Sequence, residues 1–146
     1  MQTVLFFIVI GVVSGAFIGM QGPMSTMIAQ KMGLLESVFI VHLGGVVVAL
    51  VPLLIFQRGG KLGEWRSLPW YVYLAGVLGL VIFAAVTYLI PQVGVTSTMM
   101  LIIVGQFIIG VVMDHFGWFE MAVRPFSFPK VIGLAVMLLG AWITLR

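Results

Sequence analysis

Not one cysteine occurs in these 146 residues, so the chain has no disulfide, no thiolate metal site and no thiol nucleophile. Charge is almost as scarce. Asp, Glu, Lys and Arg make up only 8% of the sequence, against about 25% in soluble domains, while 62% of it is hydrophobic. That balance excludes a water-soluble domain: the solvent of this fold is lipid. A chain of this length can hold several membrane spans and no soluble catalytic domain beside them. The net charge of +3 comes from seven Lys and Arg scattered over short connections. Without a basic stripe they give no footprint for nucleic acid, and no nucleic-acid partner is expected.

What the sequence does contain is five apolar runs separated by turn and charge signals, at about 3–29, 34–56, 69–90, 95–113 and 128–145. Apolar runs of at least ~18 residues read as transmembrane helices. The expected fold is therefore all-α and integral to the membrane, with five transmembrane helices in a single domain over 1–146. The first run has no charged side chain before Lys31. It also lacks the positive flank and short apolar core of a signal peptide, and is expected to be retained. Lys31-Met32-Gly33 closes it, and Glu36 opens the next run, where a carboxylate suits the helix dipole. The polar connection from Arg58 to Arg66 leads to Trp65, Trp70, Tyr71 and Tyr73, an aromatic belt of the kind found at the membrane surface. Pro91-Gln92-Val93-Gly94 reads as a tight uncharged turn. The fifth run is short, and reaches full bilayer thickness only if Phe126 to Pro129 form its first turn.

Polar groups at mid-membrane are the functional signal, because hydrocarbon penalises them. Gln21, His42 and Gln106 lie about 18, 8 and 11 residues into their runs, which at ~1.5 Å per residue places all three centrally. Gln21 is followed by Gly22 and Pro23, which loosen the backbone ladder and predict a broken helix with free backbone groups. Each of the three also has a structural reading: membrane amides join helices for ~0.6 kcal/mol, and a histidine can be held as a packed, hydrogen-bonded ring. His42 is the ionisable side chain deepest in a span and the first candidate for proton coupling. Asp114 and Glu36 qualify for coupling only if they lie deeper than the interface positions expected for them. Met20, Met24 and Met27 could line an apolar pocket beside Gln21. Gly11, Gly15 and Gly19 recur every four residues on one helical face where a neighbouring backbone can approach, and Gly105 adjoins Gln106. No paired carboxylates or Ser-His-Asp set share a plausible location, so no enzyme, catalytic residue, cofactor or metal is expected.

Four stretches in this order, Gly15-Ala16-Phe17-Ile18-Gly19-Met20-Gln21-Gly22-Pro23, Leu68-Pro69-Trp70 with Gly76 and Gly79, Pro91-Gln92-Val93-Gly94, and Gly105-Gln106 with Asp114-His115-Phe116-Gly117, give the chain its likeness. It resembles the YdcZ-like family, a five-helix branch of the bacterial drug/metabolite transporter superfamily. The resemblance implies an inner-membrane exporter of a small solute. Larger superfamily members consist of two five-helix halves in inverted orientation. A single half would then pair antiparallel with itself or with a homologous chain of opposite orientation. Small multidrug exporters, which are more distant cousins, use a glutamate in the first helix; this first run has no acid, which sets that mechanism aside.

Two other classes of function remain open on the residues alone: a small dimeric ion channel and a structural membrane subunit without flux. Orientation follows from Lys and Arg by side. Arg58, Lys61, Arg66, Arg124 and Lys130 share the side of the N-terminus, against Lys31 and Arg146 opposite, which favours an internal N-terminus and an external C-terminus. The small margin also permits dual topology. Single cysteines placed at each terminus of this cysteine-free chain test it. One-sided labelling fixes the orientation, and labelling of one terminus from both sides of the membrane establishes dual topology.

Overall fold

The computed structural model describes residues 2–56 and 61–145. Met1, Arg58, Gly59, Gly60 and Arg146, which entered the reading of the long polar connection or the orientation, lie outside the described residues. Five α-helices occur in order: α1 (Gln2–Met32), α2 (Leu34–Ile55), α3 (Leu74–Val93), α4 (Val95–Phe116) and α5 (Phe128–Thr144). Short 3-10 helices occupy Leu62–Ser67, Trp70–Tyr73 and Trp118–Glu120, and no strand occurs among the described residues. Four stretches are long and apolar enough to cross a membrane: Val4–Met32, Leu34–Ile55, Trp70–Val93 and Val95–Phe116. α5 has 17 residues, or about 25 Å of helix, and so falls short of the ~30 Å hydrocarbon core. Phe128 and Pro129 join its first turn, whereas Phe126 and Ser127 stay outside.

Two expected interruptions differ in the structure. α1 stays helical through Gln21, Gly22 and Pro23, so the break expected there is not an unwound turn. Pro23 withholds only the donor that would have reached Gly19, and the surrounding helical bonds carry the helix across. The turn expected over Pro91 to Gly94 shrinks to one residue, because α3 continues through Pro91 to Val93. Gly94 is then the single residue between α3 and α4, as Gly33 is between α1 and α2. Their backbones lie at φ 83°, ψ 165° and φ 116°, ψ 161°, a region that only glycine enters without strain. Each glycine closes the preceding helix, its N–H donating to Ile90 or Ala29, and opens the next, its carbonyl accepting from the N–H of Thr98 or Ser37.

The chain divides into two compact units, Met1–Tyr88 and Leu89–Arg146. In the first, α1 packs on α2 through small hydroxyls in place of large apolar side chains. Ser25, Thr26, Ser37 and Thr87 are buried, with Val38 and Val86 as the apolar members. The Ser37 hydroxyl donates to the Ser25 carbonyl at 2.7 Å, and the Ser25 and Thr87 hydroxyls meet at 2.9 Å, tying α1 to α2 and to α3. Lipid removes the hydrophobic drive between helices, so close backbone approach and hydrogen bonds take over. In the second unit α4 packs on α5, with Gly133 against Phe107 and Gly140 against Met100. The connection after α4 folds back on its end: the N–H of Arg124 donates to the Asp114 carbonyl at 2.7 Å, and Lys130 pairs with the Asp114 carboxylate at 3.1 Å.

Backbone strain should outweigh loss of a single hydroxyl bond here. Gly94→Ala adds a methyl that meets no neighbour, yet it should cost about 1–3 kcal/mol through its backbone angles alone. Ser37→Ala should cost about 0.6 kcal/mol. Reversible unfolding in mixed micelles measures both, and equal losses would contradict the glycine-turn account.

Candidate functional site

The candidate site begins with a buried carbonyl. At Gly22, Ser25 and Thr26 follow at i+3 and i+4, and both hydroxyls donate to the Gly22 carbonyl, at 2.7 and 3.1 Å. This turn of α1 therefore directs its small and hydroxyl-bearing side toward the protein. Gln21, one residue earlier, is turned about 100° away and is exposed. Its amide can donate and accept, and neither role is taken by any described residue.

α2 brings His42 to the same place. The imidazole Nδ1 lies 2.8 Å from the Val38 carbonyl one turn back. A carbonyl only accepts, so Nδ1 carries the proton, and in the neutral ring Nε2 presents a bare lone pair. Phe83 of α3 stands edge-on to the ring, with centroids 5.7 Å apart. Gly79, one turn before Phe83, faces Nε2: a methyl on Gly79 would lie 3.7 Å from it. Together Gln21, Val41, His42, Gly45, Val46, Ala49 and Phe83 line a groove of about 450 Å³. That size lies within the ~300–1,000 Å³ usual for small-molecule sites. Its chemistry is an apolar wall with two polar groups, an amide and an imidazole acceptor.

Among the residues singled out from sequence, Gln21 and His42 are thus brought together. Gln106 belongs to the second unit, on α4, where it is exposed and has no hydrogen-bond partner among the described residues. Met20 and Met24 are exposed on α1 and do not line the groove. Gly11, Gly15 and Gly19 have open space where a side chain would stand, as does Gly105, and every side chain from Val4 to Ile18 is exposed. Among the described residues of this unit, none fills the face that the α1 glycines leave bare. Asp114 lies in the last turn of α4, paired with Lys130. Glu36 is exposed in the first turn of α2 with its carboxylate folded over Gly33. Among the described residues, no three His, Asp or Glu side chains gather as a metal site would require.

Sequence reasoning missed the place of Gly79 beside His42, Phe83 and the Ser25–Ser37–Thr87 hydroxyls. The hydroxyls had a readable signal, since Ser25 and Thr26 stand at helical spacing from Gly22 in an apolar run. Phe83 had none, and Gly79 had only its place in the family likeness, because the part that both play comes from their distance to His42. The second histidine is bonded the opposite way. The N–H of Phe126 donates to His115 Nδ1 at 3.2 Å, which makes Nδ1 the acceptor and leaves the proton on Nε2 in the neutral ring. Nitrogen-15 NMR of the histidine-labelled protein, at a pH where both rings are neutral, should therefore report opposite tautomers for its two rings. The same tautomer at both would contradict the local geometry.

The sequence was also compared with known proteins. Residues 6–143 match the family model DMT_YdcZ, described as "Putative inner membrane exporter, YdcZ". No curated protein and no solved structure matches the chain.

Proposed function

The chain belongs to the YdcZ family of inner-membrane exporters, whose model covers nearly its whole length, and from that premise we propose that it exports a small, partly apolar solute by alternating access. The family is one of exporters and not of enzymes. The observation that carries this reading is that Gln21 and His42 line one apolar groove. Hydrocarbon offers such groups no partner, whereas a passing solute does. The hydroxyls of Ser25, Ser37 and Thr87 are already engaged with one another and with backbone, so they hold the helices that frame the groove.

The transporting unit in this proposal is a dimer of inverted repeats, formed with a second copy or with a homologous chain of opposite orientation. What supports it is how little this chain buries by itself. Gly11, Gly15 and Gly19 present a bare backbone face on α1, and close backbone approach is what joins helices in lipid. In the dimer that face would be a sliding helix contact, and inverted repeats rocking about a central site would give alternating access. Gln106 is assigned to the solute path as well, on the ground that its amide is exposed on an apolar helix and has no partner among the described residues. His42, the deepest ionisable group, is the residue assigned to coupling; Asp114 and Glu36, both at helix ends, rank below it.

Counterflow in proteoliposomes tests the reading. Wild-type protein should exchange labelled solute in a saturable way that requires a countersubstrate. Gln21→Ala and Gln106→Ala should each slow exchange roughly ten-fold, the loss that ~1.4 kcal/mol of contact energy produces. Unchanged exchange in both variants would remove the two amides from the path. Current without countersubstrate, and without saturation, would replace the exporter with a channel.

A further inference from the structure

Resting on the exporter reading, we infer that the α1–α2–α3 groove selects solutes that carry an N–H or O–H donor on an apolar body, and that His42 Nε2 is the atom that reads the donor. The bond from His42 Nδ1 to the Val38 carbonyl, 2.8 Å long, sets the polarity of the ring. With the proton committed to Nδ1, the other nitrogen of the neutral imidazole can only accept. No described residue donates to it. A solute with a donor restores that missing bond, and a solute without one leaves the lone pair facing apolar matter, so the asymmetry between made and unmade hydrogen bonds becomes selectivity.

Gly79 keeps this nitrogen open. A methyl built there would lie 3.7 Å from Nε2, so a larger side chain would crowd the lone pair. Phe83 fixes the ring from its edge, and Val41, Val46 and Ala49 supply the apolar wall. Gln21 accepts or donates as the solute requires, so it adds affinity without setting the sign of the preference. A groove of about 450 Å³ admits a bicyclic aromatic solute with space to spare.

The test uses the full-length protein in lipid nanodiscs, labelled with nitrogen-15 at histidine, and two probes that differ in one donor: indole and 1-methylindole. Indole should shift the Nε2 resonance of His42 and bind about five- to ten-fold more tightly than 1-methylindole, the factor one net hydrogen bond supplies. His42→Phe should abolish that preference. Gly79→Ala keeps the histidine and places its methyl at ordinary van der Waals distance, 3.7 Å from Nε2. The fold should therefore tolerate it, and it should shrink the preference to less than two-fold. Equal affinities for the two probes, no response to either, or indole binding with His42 Nε2 unmoved would each overturn the inference. Counterflow separates it from the exporter reading. Saturable exchange without a donor preference refutes the selectivity alone, and a donor preference in a protein that moves no solute refutes the exporter.

Discussion

Inside a bilayer every polar group must find its partner within the protein, and this constraint governs the whole chain. It makes the structure helical, because a helix satisfies its own backbone. It also decides how the helices meet. Where α1, α2 and α3 come together the contacts are Ser25, Ser37 and Thr87, small enough to let backbones approach and able to bond once they do. Lipid competes for leucine and phenylalanine as well as protein does, so such side chains face outward along all five helices. A soluble protein of this size would bury them.

The same constraint gives the exceptions their meaning. Gln21 and the Nε2 of His42 find no partner among the described residues, and Gln21 and His42 line one groove. Both are held by neighbours that are fully satisfied: the turn at Gly22 by two hydroxyls on its carbonyl, the imidazole by its bond to Val38. A rigid, internally bonded frame around open polar groups is the arrangement a solute site requires. The glycine turn at Gly33 belongs to that frame. With Gly33 as the sole link, α2 returns against α1, and His42 arrives beside Gln21 without a loop between their helices to loosen the fit.

Much of this was legible from residues alone, for definite reasons. The near absence of charge and the length of the apolar runs dictated a helical membrane protein. The end of the third run was misplaced by a few residues because Pro91 was taken as a stop, and Pro23 was taken as a break inside the first. Pro23 and Pro91 both lie inside continuous helices, because a helix tolerates one missing donor when its remaining bonds are intact. Gln21 and His42 stood out as polar residues in the wrong solvent, and that reasoning holds whatever the tertiary arrangement. The methionines near Gln21 did not reach the groove: Met20 and Met24 are exposed on α1 and are not among its lining. The part of Gly79 and Phe83 beside His42 could not be seen, since it follows only from their distance to the imidazole.

By itself, then, the sequence determined the solvent, the helical class, the number of helices and which side chains are anomalous in lipid, all of which follow from composition and linear spacing. Tertiary structure decided which anomalies meet. It satisfied Ser25, Ser37 and Thr87 against one another, left Gln21 and one nitrogen of His42 open, and put a glycine where a larger side chain would crowd that nitrogen. Those are outcomes of distances between helices, and an apolar sequence carries almost no record of them, because in lipid the pairing of helices is set by small residues and single hydrogen bonds.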